Sequence, residues 1–280
     1  MDIFIAGSTL FSITRSFVIR TFRLVIFLIL RHRAGRFLLI TPSCLTHQLI
    51  YDRKNKKIIK VIIRDSVDFF TVSQIYTFDD YGIEKLKRAP ELIGAYKKII
   101  KNGKKPLIID CGGNIGLAAK YFSQNYPEAI ILCIEPDGKN IRQAKRNNTS
   151  NKIHFFENAV GSEEGVGEII DPRLGNNAYR IESKETGSTK IISINQLLSE
   201  YHQDQYAPFI AKIDIEGFEF DLFSKNTDWV DKFPLLIIEL HDWMLPKKAN
   251  SSNFLKTIAP LERDFVYHRE NIFSISNKLI

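Results

Sequence analysis

A glycine turn flanked by acids is the part of this sequence whose residue types and spacing most plainly suit chemistry. Pro106–Gly116 reads PLIIDCGGNIG. A short apolar run ends in Asp110, and Gly112 and Gly113 follow, where a chain can turn tightly and bring its backbone close to a ligand. Asn114 sits inside the turn. Gly116 allows close contact between strand and helix, and the helix beginning there offers free backbone N–H groups. The next apolar run ends in Glu135-Pro136-Asp137. An acid one strand–helix unit after such a turn typically accepts hydrogen bonds from ribose hydroxyls. A third run leads into Phe156–Gly161, where Asn158 offers a polar contact and Ala159 a small wall beside a base.

The turn departs from the dinucleotide fingerprint G-x-G-x-x-G. Counted from Gly112, Asn114 and Leu117 stand where glycines should be. Asp110 at the loop entrance is also awkward for a pyrophosphate. A phosphate-free, cationic cofactor suits it better. S-adenosylmethionine, with its sulfonium and ammonium, is such a molecule: Asp110 is expected to meet the ammonium directly or through water, and Glu135 the two free ribose hydroxyls. Asp137 completes this expected cofactor set.

Two further strand ends carry acids, Asp214 in KIDIEGFE and Glu239 in LLIIELHD. Strand alternation puts Lys212 and Asp214 on one side, and Glu239 and His241 on one side. Asp214, Glu239 and His241 are therefore the candidate catalytic residues, with His241 or Asp214 as general base. Asp214, Glu239 and His241 also have the chemistry of a divalent-metal set; no metal is assigned.

These residues need a sheet to align them. From Pro106 onward short apolar runs alternate with helical segments, which predicts a doubly wound, mostly parallel α/β sheet buried on both faces. Ligands in such sheets bind beyond the carboxyl ends of the strands. Residues 264–267 and 271–276 predict an antiparallel hairpin that closes the chain, and 163–190 a hairpin insertion. Upstream, 14–31 reads as a helix, 37–40, 48–51 and 58–64 as strands, and 81–100 as a helix. Asn102–Pro106 marks the boundary between an N-terminal region (1–105) and a catalytic domain (106–280).

The 280 residues, 44% of them hydrophobic, suffice for a sizeable core. Cys44, Cys111 and Cys133 match no disulfide or zinc pattern, and read as reduced thiols in a cytoplasmic protein. The net charge of +7 is concentrated early: Arg15, Arg20, Arg23, Arg31, Arg33 and Arg36 stand against Asp2. Leu24–Leu30 is too short an apolar run to span a membrane. Residues 14–31 could lie on an anionic membrane surface or pack on the catalytic domain. No nucleic-acid signature is present.

The pieces IIDCGGNIG, IEPDGKNIRQAKRNN, ENAVGSEEG, AKIDIEGFEFDLF and LLIIELH, in this order, resemble the FkbM family of methyltransferases; RDSVDFFTVSQIY upstream is similar to that family's lead-in segment. The resemblance covers roughly Pro106 to the C-terminus. It implies a Rossmann-like methyltransferase fold, S-adenosylmethionine as methyl donor, and O-methylation of a sugar in a polysaccharide or glycolipid, or of a natural product. It also implies cofactor positions at Asp110, Gly112, Gly116 and Glu135, and signature acids at Asp214, Glu216 and Glu239. The rival readings are an NAD-dependent oxidoreductase on a similar sheet, and a non-catalytic, membrane-associated binding protein that retains the fold.

Overall fold

A computed structural model describes residues 35–170, 180–183 and 187–279. The expected helix at 14–31 lies outside them. Three short strands come first: β1 (Phe37–Leu39), β2 (His47–Asp52) and β3 (Lys57–Ile62), paired antiparallel in the order β1-β2-β3. Helix α1 (Ser66–Val72) begins at Asp65, whose carboxylate accepts from Val67 N and Asp68 N. It continues as a π turn over Ser73–Thr77.

The apolar spacing of 81–100 predicts one helix, but the structure breaks it. A 3-10 turn covers Ile83–Lys85, and α2 starts only at Ala89 and runs to Lys101. Pro90 explains the late start: it cannot donate to a preceding turn but fits the first turn of a helix.

The main sheet is built from β4 (Lys105–Cys111), β5 (Ile130–Ile134) and β6 (Ile153–Phe156), with α3 (Leu117–Asn125) and α4 (Gly138–Asn147) between them. Next come β7 (Ala159–Gly161), β8 (Gly165–Ile170), β9 (Arg180–Ser183) and β10 (Thr189–Ser193), which form a separate sheet in the order β7-β10-β8-β9. The hairpin expected at 163–190 is part of this small sheet. The chain then passes through α5 (Ile194–Glu200) and returns to the main sheet with β11 (Tyr206–Ile213). The short α6 (Glu219–Leu222) leads on to β12 (Leu235–Glu239). After α7 (Ser252–Ile258), β13 (Arg263–His268) and β14 (Asn271–Ser276) close it.

The main sheet has seven strands in the order β13-β14-β12-β11-β4-β5-β6. The five central and far strands are parallel, and β14 and β13 are antiparallel. This is the Rossmann-like α/β sheet with the expected closing hairpin. From β4 the chain winds outward through β5 and β6, then jumps back to β11 on the other side of β4. The β4/β11 boundary is therefore the topological switch point, where the strand ends open into a crevice.

Both faces of the sheet are buried. In β4, Leu107, Ile109 and Cys111 join one apolar cluster and Ile108 the other. Phe37, Ile50, Val72 and Leu92 pack in the same cluster as Ile108, Phe122 and Ile131. The boundary near residue 105 is thus a change of sequence character across a shared core. All three cysteines are free, with Cys111 and Cys133 buried. Among the described residues no helix is long and apolar enough to cross a membrane.

Candidate active site

A cavity of about 390 Å³ opens at the switch point. One end is made by the glycine turn. Gly112 has φ +80°, and a Cβ there would run into the Asp214 carbonyl, so this position needs glycine on two counts. The N–H groups of Gly112 and Gly113 both donate to Ile134 O, at 3.0 and 2.8 Å, which ties the turn to the end of β5. Asn114, at φ 46°, donates its N–H to Glu135 Oε2 at 2.9 Å. Its side-chain Oδ1 is buried and has no hydrogen-bond partner among the described residues.

Glu135 is 5% exposed and lines the cavity. Oε1 accepts from Asp137 N at 3.0 Å and from Asn140 Nδ2 at 3.2 Å. Burial pushes its pKa up to about 7, against the pull of the Asp137 and Asn114 amides and the Asn140 side chain. Asn158 and Ala159 line the same end.

Three residues expected at the cofactor stand elsewhere. Asp110 is fully buried and does not line the cavity. The parallel pairing sets Asp110 opposite Lys212 on the neighbouring strand, and Lys212 Nζ approaches Asp110 Oδ1 at 3.2 Å and Asp214 Oδ2 at 3.3 Å. Nζ also donates to Gly112 O at 2.7 Å, so this ion pair fastens the turn from beneath. Burial opposes the Lys212 charge, but Asp110 and Asp214 outweigh it and hold its pKa well above the ordinary lysine value. Gly116 (φ +76°) leaves room for a helix–helix contact: a Cβ would press on Asn148 Nδ2 and Ala144, at 2.6 and 2.8 Å. Asp137 caps α4 by accepting from Asn140 N at 2.7 Å.

The opposite end holds acids. Asp214, Glu216 and Glu239 line the cavity. Glu216 is at φ 53°, and with Gly217 at φ +98° it forms the turn that swings its carboxylate beside Asp214. Burial, then the Asp214 charge, pushes the pKa of Glu216 and of Glu239 up to about 8. Carboxylates in that range can take a proton near neutral pH.

His241 is only 1% exposed and stands behind these acids, off the cavity wall. Its Nδ1 donates to Glu219 Oε1 at 2.8 Å. Burial opposes its charge, but the bond to Glu219 and the fields of Glu219, Asp214 and Glu216 outweigh it, lifting the pKa to about 9. His241, one of the two residues expected as general base, faces the cavity only through the carboxylates of Asp214, Glu216 and Glu239.

Glu219, which has no role among the residues expected from the sequence, is 0% exposed and also accepts from Asn250 Nδ2 at 2.7 Å and from Gly217 N at 3.2 Å. An acid two residues after the KIDIEG element is the signal that marks it. Trp243, 72% exposed, and Phe70 form an aromatic part of the cavity lining.

The chain also has similarities to known proteins. The chain is 25% identical over 164 residues to Methyltransferase 1 of Beauveria bassiana (strain ARSEF 2860), a match that spans 48% of this chain and 64% of that protein. Among solved structures it is similar to the N-terminal domain of human METTL16, with TM-score 0.38, 14% identity, and coverage of 79% of this chain and 85% of that one. It is similar too to TrmK of M. capricolum in complex with S-adenosyl-homocysteine, with TM-score 0.30, 13% identity, and coverage of 67% and 68%. The model of the methyltransferase FkbM domain matches residues 110–268, from the penultimate residue of β4 to the last residue of β13 and over more than half of the 280 residues. The chain belongs to the FkbM methyltransferase family.

Proposed function

We propose that this methyltransferase moves the methyl group of S-adenosylmethionine to a hydroxyl oxygen, on a sugar of a polysaccharide or glycolipid or on a natural product. The observation that carries this reading is the split character of the cavity. One end has acceptors for a nucleoside, and the other gathers the carboxylates of Asp214, Glu216 and Glu239.

The first end fits the methyl donor. Glu135 would accept from the ribose hydroxyls, and the buried Asn114 Oδ1, lacking a partner among the described residues, would accept from the ammonium. When bound, S-adenosylmethionine supplies an electrophilic methyl group on a positively charged sulfur. At the other end Asp214 and Glu239 would orient the acceptor hydroxyl and take its proton onto a carboxylate oxygen. The exposed face of Trp243 suits the apolar face of a sugar ring. Most of the acceleration would come from this positioning.

The test is methylation of candidate surface glycans, followed by mass spectrometry with and without active protein. A methyl-sized increment on a hydroxyl is expected. Asp214→Asn should lower the rate by at least about a hundredfold, the usual contribution of a positioned proton acceptor. Increments on amines or carboxylates alone, or an Asp214→Asn variant with full turnover, would count against O-methylation by this arrangement.

A further inference from the structure

We propose that Asp214, Glu216, Glu239 and His241 form a binding site for one divalent first-row metal ion at the acceptor end of the cavity. The proposal goes beyond methyl transfer and does not depend on the acceptor.

It starts from the buried imidazole. Among the described residues, the contacts of His241 Nε2 with charged groups are all at 3.5 Å or more. This nitrogen faces one oxygen from each of three acids: Glu216 Oε2 and Glu239 Oε1 at 3.5 Å, and Asp214 Oδ1 at 3.7 Å. An imidazole paired with a carboxylate normally closes to about 2.7–3.2 Å. This ring does so on its other side, where Nδ1 lies 2.8 Å from Glu219. On the Nε2 side it stays nearly equidistant from three oxygens. Ligands about 2.1 Å from a shared ion, at tetrahedral or octahedral angles, stand roughly 3.0–3.4 Å apart. The observed spacing is a little wider than that. One ligand atom from each of Asp214, Glu216 and His241 lies within 4.8 Å of the others.

The surroundings are those of a ligating histidine. Glu219 is fully buried and held by Asn250 and Gly217, and its bond to Nδ1 aims Nε2 at the acids. A metal-bound histidine characteristically donates its second nitrogen to a carboxylate in this way. Charge points the same way. Three carboxylates converge, and the nearby lysine, Lys212, touches only Asp214 among them and is shared with Asp110. A divalent ion would offset that excess. The acids keep an open side: the Asp214 and Glu216 side chains are 26% and 20% exposed and line the cavity. An ion held there would have a free position for water or an acceptor oxygen. One nitrogen among carboxylate oxygens suits Mn²⁺, Fe²⁺ or Zn²⁺ better than the all-oxygen shell that Ca²⁺ takes.

The experiment uses full-length protein freed of metal by chelator and titrated with Mn²⁺. Bound ion is followed by loss of the free-ion electron paramagnetic resonance signal and by calorimetry. One Mn²⁺ per chain is expected, and Glu216→Gln and Glu239→Gln should each weaken binding at least about tenfold. His241→Gln should do the same. Because His241 is buried, the partly exposed Glu216→Gln is the variant that decides if His241→Gln fails to fold. Absence of saturable binding of both Mn²⁺ and Zn²⁺ would overturn the proposal, leaving the imidazole itself to balance the acids. Unchanged Mn²⁺ affinity in both glutamine variants would overturn it too. S-adenosylmethionine is titrated into the same samples. Lost methyl-donor binding with intact Mn²⁺ binding would contradict the cofactor reading and support the metal site.

Discussion

Replacing Lys212 by Met should cost the protein about 3–5 kcal/mol of stability, the usual consequence of removing one partner from a buried ion pair. In a domain of this size that is a fall in melting temperature of roughly 10 °C. Lys212 is 2% exposed and Asp110 is fully buried. Without the ammonium, Asp110 is left buried without its counter-charge, and Gly112 O loses its 2.7 Å donor. The double variant Asp110→Asn/Lys212→Met removes the uncompensated charge as well, and should recover at least about 1 kcal/mol of the loss, because contacting residues do not behave additively. Urea unfolding of the two single variants and the double variant measures this directly. A Lys212→Met protein within about 1 kcal/mol of the wild type would show that the pair does not hold the glycine turn in place.

The second large effect is expected at Glu135. Its carboxylate would accept two charge-assisted hydrogen bonds from ribose hydroxyls, and at about 1.5 kcal/mol each their loss amounts to roughly a hundredfold in affinity. Glu135→Ala should weaken S-adenosylmethionine binding by that factor in calorimetry. The wild type should also show a pH dependence of definite sign. Burial holds the Glu135 pKa at about 7, and the ionised form is the better acceptor. Affinity should therefore be fully present above the folded pKa and fall as pH drops through it, to about tenfold weaker at pH 6 than at pH 8. The fall should be absent from Glu135→Gln. Equal affinity at both pH values in the wild type would remove Glu135 from the ribose contact.

How far these features are legible in the sequence depends on whether they are local. The apolar runs of β4, β5, β11 and β12 and the acids at their ends can be read directly, because a strand buried on both faces leaves a continuous hydrophobic signature. The same holds for Lys212 and Asp214 sharing a face, which is simple alternation. The partner of Asp110 cannot be read this way. It follows from the pairing of β4 with β11, strands that meet only because the chain jumps across the switch point. The bond that orients His241 likewise comes from Glu219, which is itself held by Asn250 from a separate segment. The break before α2 was written locally in Pro90, but the regular spacing of apolar residues over 81–100 masked it. Asp137 shows the reverse case: an acid expected at the ligand sits where Asp is favoured for a plainer reason, as the cap of α4.

The cavity beside Gly112 and Glu135 is proposed to hold S-adenosylmethionine in preference to a dinucleotide. Calorimetric titration of the wild-type protein with S-adenosylmethionine and, separately, with NAD tests it most directly. The expected result is saturable one-to-one binding of S-adenosylmethionine and none of NAD. Saturable binding of NAD with no binding of S-adenosylmethionine would contradict the account.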